Sequence, residues 1–119
     1  MEKVVVAEKL ATFSKHFDPK IVGELNGQHV KLVKFQGDFI WHHHENEDEM
    51  FLVVAGEFDM QFRDRTVKVR EGEFIIVSRG VEHCPKAERE VAVMLLEPAG
   101  TVNTGSAGGD MTVAAPERI

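Results

Sequence analysis

The chain has 119 residues, a formal net charge of −6 and 43% hydrophobic residues. That is enough for one domain burying roughly two-thirds of the surface its unfolded chain exposes. An acidic balance excludes a general nucleic-acid-binding face, which needs clustered Lys and Arg. No apolar run reaches the length of a membrane span, Met1-Glu2-Lys3-Val4 lacks a secretory pattern, and Cys84 is the lone cysteine; the expectation is a cytoplasmic protein without an intrachain disulfide or a membrane partner.

Val4 to Phe13 opens as a valine run and continues with Ala7, Leu10, Ala11 and Ser14 at helical spacing. This predicts an extended arm and about two helical turns. His16-Phe17-Asp18-Pro19 reads as a loop, because the residue before a proline avoids the helical region. Ile21–Leu25 and Gln28–Phe35 flank Asn26-Gly27, a strong hairpin signal. His29 falls in that hairpin with no second ligand type beside it, so it reads as a core or solvated histidine.

The stretch from Gly37 to Gly56 carries the chemistry. Phe39–His44 and Glu49–Ala55 are strand-like runs, separated by Glu45-Asn46-Glu47-Asp48. In an extended segment side chains alternate faces, so His42 and His44 share one side, about 7 Å apart along the strand, while His43 points away. If residues 45–48 are a hairpin loop, Glu49 lies opposite His44 on the same face. Two imidazoles and a carboxylate would then converge on one ion. Trp41, the only tryptophan, alternates to the opposite face and reads as core or interface packing. Glu45, Glu47 and Asp48 read as a solvated acidic loop.

Beyond Gly56, Phe58, Met60 and Phe62 alternate with polar residues over Glu57–Arg63, a half-buried strand. Thr66–Arg70 and Phe74–Val77 follow as strands, the latter apolar enough to be covered on both faces. Gly80 marks a bend, and His83 just after it is the best candidate for a fourth ligand. Cys84 would face away from His83 and pack as a small hydrophobe. Val91–Glu97 is a strong final strand of the main sheet system. The Gly-rich stretch 98–109 is loop-like and would cover the barrel mouth or reach a partner chain, and Met111–Ala115 could add one more strand. Short strands between turn signals, with no repeat or linker, predict a single all-β sandwich or barrel over residues 1–119.

His42-x-His44, four residues, Glu49, six residues, Gly56 resembles the first motif of the cupin superfamily (37–56 here). Gly72, five residues, Ser78-x-Gly80-x-x-His83 is similar to its second motif (72–87). Ser78 stands where that family usually has proline, Ala87 where it has asparagine, and Gly37 is one residue nearer the first histidine. The resemblance implies a double-stranded β-helix, or jelly-roll, barrel with a short N-terminal helix. It also implies His42, His44, Glu49 and His83 as metal ligands, and barrels that commonly pair as homodimers.

Three imidazoles and a carboxylate suit a divalent transition metal such as Fe, Mn, Ni, Cu or Zn. A four-ligand set in an octahedral field leaves two positions open for a chelating small molecule. The resemblance therefore implies dioxygenase-, isomerase- or lyase-type chemistry on an oxygen-chelating substrate, with Glu49 the candidate catalytic base. The alternatives are a non-catalytic ligand-binding barrel and a mannose-6-phosphate isomerase-like enzyme. A sugar phosphate would need a basic pocket, for which Lys31, Lys34 and Arg79 are the available residues. Ile40, Phe51, Phe62 and Met94 are the expected pocket lining.

Overall fold

A computed structural model describes residues 1–119. Its only helix, α1 (Val6–Leu10), is five residues long and buries none of them. It is shorter than the expected two turns because a helix that buries no residue gains little to offset the cost of its nucleus. Strands β1 (Lys20–Leu25) and β2 (Gln28–Asp38) form the expected hairpin. Both of its loop residues, Asn26 (φ 48°) and Gly27 (φ 76°), take the left-handed conformation that a tight hairpin turn demands.

The remaining strands are β3 (Glu49–Ala55), β4 (Glu57–Phe62), β5 (Thr66–Arg70), β6 (Phe74–Val77), β7 (His83–Pro98) and β8 (Glu117–Arg118). The spine is β7, a single strand of 16 residues where the sequence suggested a strand over Val91–Glu97 alone. One edge of β7 pairs with β2. Its other edge is divided, with His83–Lys86 bound to β4 and Ala92–Leu96 bound to β3. Between these halves the register slips, against Phe35/Gly37 on β2 and Val53/Ala55 on β3. Such bulges increase twist and bend the ladder, and here they let one strand serve both halves of an all-β jelly-roll barrel. Gly56 (φ 87°) sits at this corner, where a Cβ would come within 3.0 Å of the Glu90 carbonyl oxygen.

The apolar core fills the end of the barrel around that corner. Val53, Phe58, Met60, Val91 and Val93 are almost fully buried there, and the Phe35 ring meets Phe58 edge-on.

Three local expectations need correction. Residues 39–44 do not form a hairpin ladder with β3, whose two edges are taken by β6 and β7. They run instead beside the start of β7: His42 and His83 exchange both backbone hydrogen bonds (3.1 and 2.9 Å), and Phe39 N–H donates to the Pro85 carbonyl. Strand β6 is not covered on both faces. It pairs only with β3, and Phe74 and Ile76 on its outer side are 59% and 58% exposed. Finally, Met111–Ala115 is not a strand. Asn103 holds it as a loop, donating from Nδ2 to the Met111 carbonyl and accepting from Val113 N–H; the added strand comes later, as β8 parallel to β1.

The outer face of the sheet carries apolar residues in register. Val30, Leu96, Met50 and Ile76 form one row across β2, β7, β3 and β6, and Leu32, Met94, Leu52 and Phe74 form the next. No helix is long and apolar enough to cross a membrane.

Candidate metal centre

His42, His44, Glu49 and His83 come together beside the Phe51 edge of the apolar core, all four buried. One ligand atom from each lies within 4.8 Å of those of the others. Glu49 opens β3 and points inward by the same alternation that buries Phe51 and Val53. The His42–His83 backbone pair places those two rings side by side, with centroids 4.3 Å apart. His44 reaches the cluster through its side chain, with Nε2 2.9 Å from Glu49 Oε1, while its carbonyl accepts the Gly80 N–H.

Tautomers decide what this cluster can hold. His42 Nδ1 lies 2.9 Å from the Ile40 carbonyl oxygen, and His83 Nδ1 lies 2.8 Å from that of Val81. A carbonyl only accepts, so each ring keeps a proton on Nδ1 and turns its Nε2 inward. His83 Nε2 then faces Glu49 Oε1 at 3.4 Å, and neither atom has a hydrogen-bond partner. His44 Nε2 is likewise buried without one. Converging lone pairs of this kind fit a cation, and three imidazoles with one carboxylate are compatible with a divalent transition metal.

Burial, reinforced by the neighbouring His83, lowers the pKa of His42 to about 4, so its ring is neutral at physiological pH. Burial alone would raise the Glu49 carboxyl, but its contacts with Glu97, His44 and His83 outweigh that and hold it well below the usual carboxylate range.

Glu97, on β7, is the residue that the sequence reading missed. Met50 pairs with Leu96 and Phe51 with Leu95, so Glu49 and Glu97 are the next residues facing each other across the same ladder. Glu97 is 2% exposed, and its Oε1 accepts from Lys31 Nζ at 2.8 Å, a diagonal neighbour on β2. Burial and the adjacent Glu49 push the Glu97 carboxyl well above its ordinary range. A signal was available: Val91, Val93, Leu95 and Glu97 lie on one face by period two, and valines on that face mark it as inward.

The Gly-rich stretch folds back over its own site. Ser106 N–H donates to the His43 carbonyl, His43 N–H donates to Ser106 Oγ, and that hydroxyl lies 3.0 Å from His43 Nδ1. His43 is thus outside the cluster, as strand alternation indicated. Next to it Gly105 (φ 49°) packs so closely on His43 and His44 that a Cβ would overlap the His43 carbonyl oxygen. Only glycine fits there.

Other residues hold simpler places. Cys84 is buried, and that burial pushes its thiol up, so it packs and does not react. His29 is buried against Glu24, and His16 is half-buried against Glu90. Trp41 is half-buried beneath the Arg63 guanidinium, 3.9 Å from its ring centre, and is not a core residue. In the acidic loop, Asp48 is tied to Arg79, whose hydrogen bonds lower its carboxyl.

Beside the cluster a cavity enclosing about 450 Å³, including its open mouth, is lined by Phe17, Phe35, Phe39, Phe51 and Leu95 together with His42, Glu49, Glu97 and Asn103. Of the expected lining only Phe51 takes part. Met94 faces the opposite side of the sheet, because it alternates out of phase with Val93 and Leu95, and Ile40 and Phe62 lie outside the lining.

A jelly-roll barrel with this buried cluster defines a class, and comparison with known proteins assigns the chain to it. A family model for the cupin domain matches residues 29–97, and the chain belongs to that family. It is 34% identical over 79 residues to the Bacillus subtilis protein YdbB, spanning 66% of this chain and 64% of that relative's length. Among solved structures, a cupin-2 domain containing protein from Shewanella frigidimarina superposes with a TM-score of 0.79 at 37% identity, over 80% of this chain and 93% of that one. Protein NMB1881 from Neisseria meningitidis does so with a TM-score of 0.76 at 30% identity, over 82% and 100%.

Proposed function

We propose that this cupin binds one divalent transition metal through His42, His44, Glu49 and His83 and acts on a small molecule that chelates the metal through two oxygens. The observation that carries this reading is the inward convergence of buried ligand atoms, above all His83 Nε2 facing Glu49 Oε1 at 3.4 Å with neither hydrogen-bonded. When bound, such a metal supplies Lewis acidity, polarising the chelating oxygens and favouring loss of a neighbouring proton. That suits isomerase- or lyase-type reactions, or dioxygenase-type reactions if the metal is redox-active.

The residues of the chain have separate tasks in this scheme. The carbonyls of Ile40 and Val81 fix the imidazole tautomers. Glu49 is the anionic ligand and the proposed base. Gly105 and Ser106 close the rim over His43 and His44.

A mannose-6-phosphate isomerase-like role is disfavoured by where the cations sit. Lys31 is committed to Glu97, Lys34 donates to the Leu10 and Phe13 carbonyls, and Arg79 is paired with Asp48 at the surface. We further propose a cytoplasmic homodimer joined through the outer apolar rows around Phe74 and Ile76, since an isologous pair would cover both copies of that face.

Metal analysis by mass spectrometry on untagged protein tests the central claim. Near one equivalent of a transition metal, lost in both His42→Ala and His83→Ala, supports it. No metal after reconstitution would leave the ligand-binding barrel as the reading. If metal is held and two-oxygen substrates bind without turnover, the same non-catalytic module is favoured.

A further inference from the structure

Resting on the proposed chelate site, we infer that the cavity of this chain selects a small molecule with a flat apolar, preferably aromatic, body that bears no anionic group of its own. The wall leading away from the ligand cluster is a stack of three rings. Phe17 lies between Phe35 and Phe39, with centroids 5.4 and 5.0 Å apart and planes tilted by 19° and 16°. Phe39 in turn meets His42 edge-on at 5.3 Å. A molecule held at the cluster therefore extends along aromatic surface, which favours flat apolar groups by burial and by ring–ring contact.

Phe17 is the informative member of that stack. Its φ of 57° is in the left-handed region, where a bulky side chain is a true outlier. The conformation is held by its ring contacts and by its N–H bond to the Lys34 carbonyl, at 2.8 Å. Strain of this kind persists where the fold over-determines it, and it concentrates at ligand clamps. Holding the chain in this conformation at residue 17 is what sets a phenyl ring into the cavity wall.

Charge completes the selection. The ionisable groups on the cavity lining are His42, Glu49 and Glu97. The neighbouring cations are committed elsewhere: Lys31 to Glu97 Oε1, Lys20 to Asp18 and Glu117, and Lys34 to the Leu10 and Phe13 carbonyls. A phosphate or carboxylate on the body of the ligand would enter an apolar wall without a counter-ion, a costly transfer.

Two chelators that differ only in their bodies read this wall. Protein reconstituted with Co(II) is titrated with acetohydroxamate, benzohydroxamate and 4-carboxybenzohydroxamate, following the visible absorption of the metal. The phenyl group should tighten binding at least tenfold over methyl, and the added carboxylate should cancel that gain. Phe17→Gly, which suits the backbone angle while removing the ring, should cut the phenyl-over-methyl preference to about threefold or less. Equal affinity for the methyl and phenyl chelators, or tighter binding of the carboxylated one, overturns the inference. If the protein retains no metal, the wall is still read on the metal-free chain by ligand-observed NMR with benzamide and acetamide. Benzamide binding that is weakened in Phe17→Gly upholds the aromatic wall even though the chelate site has failed, and no preference for benzamide overturns it.

Discussion

The inner and outer faces of the same three strands have exchanged their usual chemistry. Facing inward on β2, β3 and β7 at the cavity end are Lys31, Glu49 and Glu97, all 4% exposed or less. Facing outward beside them are Val30, Met50, Leu52, Met94 and Leu96, all half-buried, with Leu32 of the same rows fully buried. An antiparallel sheet with one wet face normally alternates the other way. At the opposite end of the barrel the ordinary pattern returns, with Val53, Phe58 and Val93 inside. The inversion shows where folding stability has been given up. Desolvated charges are kept at one end of the barrel, and the apolar rows that could have stabilised it are turned to the surface.

The sharpest way to break that arrangement is to remove half of the buried ion pair. Lys31→Met removes the one buried cation beside the Glu49–Glu97 carboxyl pair and the donor to Glu97 Oε1, and should destabilise the fold by about 3–5 kcal/mol in urea melts. The double variant Lys31→Met/Glu97→Gln should recover a good part of the loss, because the second carboxyl crowded against Glu49 is then gone as well. A cost below about 1 kcal/mol for the single variant would mean that the pair does not carry the inner face.

Acid tests the same face through His42. In the metal-free protein its folded pKa is about 4 against an ordinary 6.5, so between those pH values only the unfolded chain takes up that proton. Its contribution is fully present above pH 6.5, falls as pH drops, and is gone below about pH 4. The loss is on the order of 3 kcal/mol. Glu97 works in the opposite sense: its raised carboxyl pKa stabilises the fold below the ordinary carboxylate range and loses that contribution as pH rises. Urea melts at pH 4.5 and 7.0 should therefore be compared between the parent and His42→Gln, which leaves Glu97 in place. A pH dependence that does not flatten in the variant would exclude His42 as its source.

Closing the rim is worth less. Gly105→Ala sets a Cβ against the His43 carbonyl, and the displaced strap should cost roughly 1–3 kcal/mol and weaken metal retention measured by competition with a chelator. Unchanged stability and retention would show that the strap yields freely. On the outer face, Phe74→Lys and Ile76→Lys should change the stability of the monomer by about 0.5 kcal/mol or less, while abolishing a dimer in sedimentation. Intact dimers in both variants would move the interface elsewhere.

The hairpin at Asn26-Gly27, the strands beginning at Glu49, Glu57, Thr66 and Phe74, and the shared face of His42 and His44 could be read from residue spacing, because each rests on side-chain alternation and short-range turn chemistry; the set of four with Glu49 and His83 came from motif resemblance. Alternation also put His43 outside the cluster. It could not reveal that His42 pairs with His83 instead of lying in a hairpin with Glu49, since strand partners are chosen by which edges remain free after the barrel closes. Nor could it tell which face of β7 would be buried with charge on it. Lys31 and Glu97 are 66 residues apart, and only the joint registers of β2, β3 and β7 bring them to Glu49. The aromatic wall has the same origin: Phe17 belongs to a loop, and its ring reaches the cavity through a strained backbone angle that tertiary contacts alone maintain.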